Sequence, residues 1–269
     1  MPNSPIKEGD IAVIWTSDNR TRTVKITRYE MHRTHQGEIV LGELIGKEFG
    51  CRFELTRGWG LALKPALEDR LQRVKRRTNV LYPKDIGLIL MKVPIGPGSS
   101  VVEIGTGSGA MTAALGEAVS PGGTVFTFDI RDDHISAAQR NVRRTGIEAD
   151  IRFELHEPGS QLPVGPVDCI IMDVPEPWEE LPQADAILNV GGRIAAMNPT
   201  YNQIEKMATA LNDHNYILIE CIEIIFRRIV PIEGRVRPVR SGIPHTEFML
   251  FGIKSGQELS EDEPQYLSE

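Results

Sequence analysis

The chain has 269 residues, of which 41% are hydrophobic and 25% charged, and its net charge is −7. These proportions are typical of a soluble globular protein with one large domain and a small one. No apolar stretch approaches the ~20 residues that span a bilayer, and the first ten residues lack the pattern of a signal peptide, so we expect no membrane partner.

The three cysteines, Cys51, Cys169 and Cys221, are far apart and lack the spacing of metal ligands. Cys169 and Cys221 lie in apolar, strand-like runs, which predicts two core thiols. We therefore expect no metal site and a reducing, cytoplasmic location.

The charges are distributed unevenly along the chain. Residues 1–80 hold 15 Lys+Arg against 10 Asp+Glu, a net of +5, and the remainder holds 15 against 27, a net of −12. Two basic clusters in an acidic protein favour local binding of a polyanion, and solvated surface charge is the alternative. The residues predicted to bind it are Arg73, Lys75, Arg76, Arg77, Arg235, Arg237 and Arg240.

Short strand-like segments fill residues 1–65. The runs "DIAVIWT", "TRTVKITR", "GEIVLGELI" and "CRFELT" are rich in β-branched and aromatic residues and are separated by turn residues. They predict a small, separately folded β-domain. Residues 66–81 follow as a basic helical connector, because Leu67, Leu71 and Val74 recur at helical spacing.

From residue 82 to residue 254, strand patterns alternate with helix patterns. This alternation predicts an α/β fold with a doubly wound, mostly parallel sheet covered by helices on both faces. The last two strand patterns, "YILIECIEIIFRRIV" and "TEFMLFGIK", have no helix between them, so we expect an antiparallel pair at one edge. Residues 255–269 are acidic and poor in apolar groups, which predicts a disordered tail.

The segment "VVEIGTGSGAMTAAL" is typical of a strand, a tight turn and a helix. Its glycines, Gly105, Gly107 and Gly109, bring backbone amides close to a ligand at the helix N-terminus. With Ala110 the spacing fits the dinucleotide pattern G-x-G-x-x-G/A. With Glu103 it fits E-x-G-x-G-x-G, the first motif of S-adenosylmethionine-dependent methyltransferases. The third interpretation is a turn that has a structural role only.

Two acidic residues help to choose between these readings. Asp129 ends the next strand, where both ligand classes require a carboxylate for two ribose hydroxyls. Glu103 favours the methyltransferase reading, because a carboxylate there would pair with the cofactor's cationic amino-acid end but would repel a pyrophosphate. The terminal antiparallel pair points the same way.

Asp173, in the stretch "IMDVPEPW", ends the fourth strand of the alternating region. Ligands of doubly wound sheets bind beyond the carboxyl ends of the strands, so we expect Asp173 to face the same crevice as Gly105 and Asp129. The prolines that follow stiffen the loop, which suits a carboxylate that must be held in position. The alternative is a purely structural role, in which Asp173 caps a helix.

Five segments, "TNVLYPKDIG", "VVEIGTGSGAMTAAL", "FDIRDDH", "MDVPEPW" and "GIPHTEFMLFG", follow one another as in the tRNA (adenine-N1)-methyltransferase family, which the chain resembles over nearly its whole length. The resemblance implies methylation of T-loop adenosine at tRNA position 58, with position 57 a second target in archaeal relatives. It also implies S-adenosyl-L-methionine as cofactor, tRNA as partner and a homotetramer.

The same resemblance assigns roles to matching positions. Asp129 would bind the ribose with His134 nearby, Asp173 would border cofactor and target base, and Tyr82 would lie near the base. Glu157 stands where relatives often have an Asp that contacts adenine. Residues implied to touch the methionine part are Ser108, Gly109, Ala110 and Met111.

The chemistry requires no covalent residue, since adenine N1 is a nucleophile and the sulfonium methyl is already activated. Asp173 is predicted to accept a hydrogen bond from the exocyclic amine, to stabilise the cationic product and to act as general base. Tyr82 and Trp178 would stack on a base extruded from the tRNA fold, or else serve only in packing. His245 would order the pocket or bind phosphate, or be a hydrogen-bonded structural residue.

Three competing functions remain open from the sequence. The first is another methyltransferase with the same motifs, acting on protein carboxyl groups or on a corrin ring. The second is a non-catalytic tRNA-binding partner subunit, and the third is an NAD-dependent oxidoreductase. The glycines and Asp173 speak against the second, because a non-catalytic subunit would be expected to lose them.

Overall fold

The computed structural model describes residues 4–75, 81–239, 245–259 and 265–267. The chain divides into two compact units, Met1–Arg76 with Gln139–Ile147, and Arg77–Ala138 with Glu148–Glu269. The division near residue 76 lies within the segment predicted as a connector. Arg76, Arg77 and Arg240, which the sequence assigns to tRNA binding, lie outside the described residues.

The first unit is built on antiparallel strands. β1, β2, β6 and β5 form a sheet in the order β2-β1-β6-β5, and β3 and β4 form a separate hairpin. Buried apolar residues such as Ile14, Leu41 and Phe53 make its core. The elements are β1 (Ile11–Thr16), β2 (Arg20–Lys25), β3 (Met31–Thr34), β4 (Gly37–Val40), a 3-10 helix (Leu41–Leu44), β5 (Cys51–Leu55), β6 (Gly58–Leu63) and α1 (Leu67–Leu71).

Two strands of this unit, β3 and β6, are absent from the sequence prediction, and the predicted strand 37–45 ends as a 3-10 helix. The glycines of β6 have low strand propensity, so its sequence does not look like a strand. Packing nevertheless requires glycine at one of these positions. A Cβ on Gly60 would stand 2.4 Å from the Phe53 ring. The close packing of β6 on β5 therefore depends on the residue that weakens its strand propensity.

The connector differs from its prediction too, because α1 spans only Leu67–Leu71 instead of a helix through residue 77. Side chains of the connector donate to backbone carbonyls elsewhere in the unit. Within α1 the guanidinium of Arg70 donates to the carbonyls of Thr145 and Gly146, and beyond α1 the guanidinium of Arg73 donates to those of Arg144 and Thr23. Tertiary hydrogen bonds of this kind override the helical spacing of the sequence.

The second unit contains a seven-stranded sheet in the order β12-β15-β11-β10-β7-β8-β9. The neighbouring strands from β11 to β9 all pair in parallel. Helices and strands alternate along the chain, which confirms the predicted doubly wound α/β fold. The elements of the chain from residue 83 onward are α2 (Pro83–Lys92), β7 (Ser100–Ile104), α3 (Ala110–Val119), β8 (Thr124–Asp129), α4 (Asp132–Thr145), β9 (Asp150–Leu155), β10 (Val167–Met172), α5 (Pro177–Ile187), β11 (Leu188–Asn198), α6 (Tyr201–Asp213), β12 (Tyr216–Glu223), β13 (Ile229–Val230), β14 (Arg237–Pro238) and β15 (Phe248–Lys254).

The expected antiparallel pair at the sheet edge is present. β15 pairs with both β11 and β12 in antiparallel register, and β12 is the outermost strand. The predicted strand 216–230 is interrupted, because β12 ends at Glu223 and β13 pairs only with β14. Cys169 is a buried thiol as predicted, but Cys221 is exposed, since it lies on an edge strand with one uncovered face.

Part of the acidic tail is ordered, in contrast to the sequence prediction. The amide of Ile219 donates to the carbonyl of Gln265, and the amide of Leu267 donates to the carbonyl of Ile219. These bonds satisfy backbone groups on the outer edge of β12, which composition alone does not reveal.

The stretch after Asp173 also differs from the rigid loop expected there. Pro177 and Trp178 are the first two residues of α5, because proline is tolerated at the first helical position. Glu176 is the residue that precedes the helix, so Asp173 does not cap it.

Within the described ranges, no helix combines the length and the apolar character that a bilayer crossing requires. The same residues contain no group of three or more His, Cys, Asp or Glu side chains arranged to hold a metal ion.

Candidate functional site

Three strands of the parallel sheet end side by side. Met172 of β10 is in register with Ile104 of β7, and Ile104 is in register with Phe128 of β8. The residues that follow, Asp173, Gly105 and Asp129, therefore stand next to one another at one edge of the sheet, which we call the carboxyl edge. Strand register thus brings together the three residues that the sequence predicts to face one crevice.

The Gly-rich turn lies directly against the backbone of Asp173. Gly105 has a φ of +103°, and a Cβ at this position would stand 2.2 Å from the carbonyl oxygen of Asp173. The amide of Asp173 in turn donates to the carbonyl of Ile104 at 2.8 Å. Only glycine allows this approach, so the turn and the carboxylate form one backbone-fixed unit.

Asp129 fastens the Gly-rich turn to the end of β8. Its carboxylate accepts hydrogen bonds from the amides of Gly107 and Arg131, each at 3.0 Å. The Nδ1 atom of His134 lies 3.2 Å from the same carboxylate. This cradle of glycine backbone, carboxylate and helix N-terminus fits a nucleoside with ribose hydroxyls to donate, as S-adenosylmethionine has.

Glu103 lies beneath the turn rather than open to the crevice, with 1% of its surface exposed. Its Oε2 atom accepts hydrogen bonds from Thr112 at 2.5 Å and from Thr127 at 2.6 Å. Burial raises the pKa of Glu103 to about 8, although the two hydroxyls oppose that shift. The carboxyl group is therefore mainly neutral at pH 7.

The side chain of Asp173 is exposed to solvent at the carboxyl edge. Desolvation by the protein groups around it raises the pKa of Asp173 to about 6, and the negative charge of Asp129 adds to the shift. A solvent-accessible carboxylate with a shifted pKa has the properties of a group that meets a ligand.

A second polar cluster, which the sequence did not predict, joins two distant segments. Lys84 and Asp85 at the start of α2 form an ion pair of 2.6 Å, and Asp85 is fully buried. The hydroxyl of Thr246 donates to Asp85 at 2.8 Å. The segments "YPKD" and "HTEF" are thus bonded to each other across 161 residues. The sequence feature that could have revealed this cluster is the Lys84-Asp85 pair at the start of a helix pattern.

Glu247 belongs to the same region and was also missed. Because β15 runs antiparallel, the residues before it lie at the carboxyl edge. The Oε2 atom of Glu247 is buried and finds no hydrogen-bond partner in the described chain. Burial raises the pKa of Glu247 to about 7, with a further contribution from the charge of Asp173.

The aromatic and histidine candidates are largely engaged by the protein itself. Trp178 packs against the core, and the ammonium nitrogen of Lys206 lies 4.7 Å from the centroid of its ring. His245 is bonded through one nitrogen to Glu223 at 2.7 Å, a contact that raises the pKa of His245. Its other nitrogen lies 3.2 Å from the carbonyl of Pro199. Trp178 and His245 therefore both have structural partners. Tyr82, the third candidate, is half-buried and directly precedes α2.

Glu157 lies two residues beyond β9 and is exposed. The preceding His156 is buried, with Nε2 3.1 Å from Glu180 of α5 and Nδ1 3.2 Å from the hydroxyl of Ser160. These bonds hold the loop that carries Glu157. The amide of His156 also donates to the carbonyl of Asp129, which ties this loop to the carboxyl edge.

The basic candidates fall into two groups. Lys75, Arg235 and Arg237 are exposed. Arg73, in contrast, uses its guanidinium within the first unit, where Nε donates to the carbonyl of Arg144 at 2.6 Å and Nη1 to that of Thr23 at 2.9 Å. The structure thus gives Arg73 a structural task that the sequence did not indicate.

The fold and the carboxyl edge together define a class I S-adenosylmethionine-dependent methyltransferase. A family model described as "tRNA methyltransferase complex GCD14 subunit" matches residues 58–249. The chain belongs to this family.

Two curated relatives illustrate the family. A tRNA (adenine(57)-N(1)/adenine(58)-N(1))-methyltransferase TrmI from Methanocaldococcus jannaschii is 33% identical over 70% of this chain and 76% of its own length. A tRNA (adenine(58)-N(1))-methyltransferase catalytic subunit from Dictyostelium discoideum is 24% identical over 84% of this chain and 75% of its own length.

Solved structures give the same picture. A SAM-dependent O-methyltransferase from Thermotoga maritima is 31% identical, with a TM-score of 0.84 over 95% of this chain and 97% of that one. A tRNA (m1A58) methyltransferase TrmI from Aquifex aeolicus is 27% identical, with a TM-score of 0.77 over 93% and 99%. A precorrin decarboxylase at 17% identity shares the fold alone.

Proposed function

We propose that the protein transfers the methyl group of S-adenosylmethionine to N1 of adenosine in the T-loop of tRNA, at position 58 and with position 57 as a second target. The observation that carries this proposal is the Asp173 carboxylate, placed beside Gly105 and Asp129 by strand register. Membership of a tRNA methyltransferase family supports it, as does the relative that is named for both positions.

The cofactor site would be built from the carboxyl edge. Asp129 would accept the ribose hydroxyls, with His134 beside it, and Glu157 would lie against the adenine. The methionine part would meet the turn and the start of α3 at Ser108, Gly109, Ala110 and Met111. When bound, S-adenosylmethionine supplies a methyl group that the positive charge on sulfur activates.

Glu103 would sense the charge of that ligand from below the turn. A cation bound nearby favours the ionised carboxylate, which burial disfavours in the ligand-free chain. Binding of S-adenosylhomocysteine, whose amino group keeps this charge, should therefore release a proton. Calorimetry in buffers of different ionisation enthalpy measures that release, and its disappearance in Glu103→Gln would link it to this residue.

Asp173 would act on the target base through its charge and its fixed position. Its carboxylate would accept a hydrogen bond from the N6 amine, raise the electron density at N1 and stabilise the cationic product. It would also take the proton when N6 gives one up. Because this task requires the ionised form, kcat/KM should rise with pH through about 6, the pKa of Asp173 in the ligand-free chain.

Contacts to tRNA would come from exposed cations on both units, which suit the polyanionic backbone. Lys75, Arg235 and Arg237 are exposed, and Arg76, Arg77 and Arg240 belong to the same basic clusters of the sequence. Tyr82 would lie near the extruded base, and Trp178 and His245 would support the pocket walls. The three free cysteines agree with a reducing, cytoplasmic setting.

A homotetramer is the proposed assembly. The stretch 225–236 exposes several large apolar side chains, as expected of a surface that another subunit covers. These are Ile225, Phe226, Ile229, Ile232 and Val236. Multi-angle light scattering of the purified chain gives the mass directly, and Phe226→Ser with Ile229→Ser should dissociate the assembly. A monomeric wild type would contradict this part of the proposal.

The decisive experiment is methylation of an unmodified tRNA transcript, followed by nucleoside mass spectrometry of fragments that contain the T-loop. We expect 1-methyladenosine at position 58. The Thermotoga relative is described as an O-methyltransferase, so methylation of an oxygen atom is the competing outcome. Absence of any methyl transfer would favour a non-catalytic partner subunit instead.

A further inference from the structure

The first unit contains a surface pocket of about 310 Å³ that the methyltransferase site does not use. Strands β1, β2 and β3 form its walls. Its lining is rich in cationic and imidazole groups and, in the described part of the chain, includes no carboxylate. The basic lining residues are Arg20, Arg22, Arg33, His32 and His35.

Arg22 is the lining cation whose charge no carboxylate of the described residues balances. Arg20 pairs with Asp18 at 3.3 Å, and Arg33 pairs with Glu38 at 2.8 Å. For Arg22 the described residues provide no ion pair, and its side chain is exposed on β2, the last strand of its sheet. A ligand with negative charge would therefore find one uncompensated guanidinium here.

His32 adds a polar atom that lacks a partner. Its Nε2 atom is buried and has no hydrogen bond within the described chain. Burial is the main cause of a lowered pKa of His32, which Glu30 opposes and Arg22 reinforces. A neutral imidazole keeps one N–H donor, and in the tautomer that protonates Nε2 this donor is buried and unsatisfied, which is unfavourable. A rotation of the His32 ring that brings Nε2 to the pocket surface would let an acceptor oxygen of a ligand satisfy it.

We propose that this pocket binds a phosphate group of the RNA substrate, through the guanidinium of Arg22 and the Nε2–H of His32. A phosphate offers both the charge that Arg22 requires and a second oxygen for a neutral donor. The pocket is large enough for the phosphate and its sugar. This inference rests on the proposed tRNA substrate and adds a contact on the first unit, apart from the carboxyl edge.

The test compares Arg22→Ala with Arg28→Ala, a matched control on an arginine that is exposed in the same unit and pairs with Glu8 outside the pocket. Binding of unmodified tRNA is measured against salt concentration. Arg22→Ala should lower the salt slope by about one and weaken binding roughly three- to ten-fold. Arg28→Ala should stay within about two-fold of wild type, the effect of a distant exposed charge.

His32→Phe separates hydrogen bonding from charge. It keeps the ring volume and loses the donor, so binding should weaken while the salt slope stays unchanged, because a neutral imidazole displaces no counterion. Thermal melting of each variant establishes that the first unit is folded. Arg22→Gln, which keeps much of the side chain, should reproduce the Arg22→Ala slope.

The outcomes distinguish this inference from the proposed function. If wild type methylates tRNA but Arg22→Ala and Arg28→Ala behave alike, the pocket is not a phosphate site and the inference is wrong. If wild type neither binds nor methylates tRNA, the proposed function fails and the inference with it. Nitrogen-15 NMR of the His32 ring separates the two phosphate sources: a response to inorganic phosphate without a response to tRNA would overturn the proposal.

Discussion

Three carboxyl groups in the second unit, those of Glu103, Asp173 and Glu247, have pKa values raised mainly by burial. In the first unit the cations of the pocket, Arg20, Arg22 and Arg33, remain exposed. The side chain of Glu103 is buried in a medium of low dielectric, where its ionisation acts strongly on its neighbours, whereas Glu247 is half-buried and Asp173 reaches solvent. Exposed charges are screened by water and salt, so their effect depends mainly on how many of them there are.

This difference separates two kinds of function. Strand register and the close approach of Gly105 hold the groups at the carboxyl edge in fixed positions, as the proposed methyl transfer requires. A polyanion only requires cations on a suitable surface. Single substitutions should therefore have large effects in the second unit and small, additive effects in the first.

The largest effect is expected for Asp173→Asn. The substitution keeps the size of the side chain and removes its charge, and the amide can turn a donor toward the base. Loss of one preorganised electrostatic contact lowers turnover by ~10²–10³-fold. Single-turnover methylation of tRNA measures the effect, and the Kd for tRNA should barely change. Turnover within about three-fold of wild type, far less than such a contact contributes, would leave Asp173 with a structural role only.

Glu103→Gln should change how stability depends on pH. The folded-state pKa of Glu103 is raised to about 8, so its contribution is complete below the unfolded value near 4.5 and is lost as pH rises through 8. Between pH 5 and pH 8 the wild type should lose on the order of 2–4 kcal/mol relative to the variant. Denaturant unfolding at several pH values gives this difference.

The exposed Glu179 on α5 provides the control for that measurement. Glu179→Gln should leave the pH dependence of the wild type unchanged. Parallel curves for wild type and Glu103→Gln would mean that the buried carboxyl group ionises at an ordinary pH.

Gly105→Ala tests the close contact between turn and carboxylate. The added Cβ would press on the Asp173 carbonyl, so affinity for S-adenosylhomocysteine should fall by at least about ten-fold, equivalent to ~1.4 kcal/mol. Gly98→Ala is the matched control, because Gly98 has a φ of +91° with open space around it. Both variants share the backbone strain of roughly 1–2 kcal/mol. Equal affinity in the two variants would show that the contact does not shape the site.

The smallest effects on function are expected in the basic cluster. Lys75→Ala should lower the salt slope of tRNA binding by about one without loss of stability. Arg73→Ala should instead destabilise the protein by roughly 1–3 kcal/mol, because the carbonyls of Thr23 and Arg144 lose their donor. Thermal melts and binding curves of both variants decide the matter, and the reverse pattern would restore Arg73 as a tRNA contact.

Sequence patterns located the parallel sheet well because each of its strands carries a local signal. The strand, tight turn and helix predicted from "VVEIGTGSGAMTAAL" are all present, and the helix Ala110–Val119 begins directly after the last glycine of the turn. β6 was missed because packing against Phe53 selects glycine, against strand propensity. The start of α5 was predicted as a loop, because Pro175 before the helix and Pro177 at its first position are typical of a loop.

The sequence by itself determined the order of strands and helices, the Gly-rich turn, and the carboxylates Asp129 and Asp173 at strand ends, because these depend on residues close together in the chain. Only the tertiary structure decided which groups meet. The bond between Asp85 and Thr246, the burial of Glu103 and the unpaired Nε2 of His32 depend on strand pairing and desolvation across many residues. Local patterns carry no information about such contacts, because hydrogen-bond partners and dielectric surroundings exist only once the chain is folded.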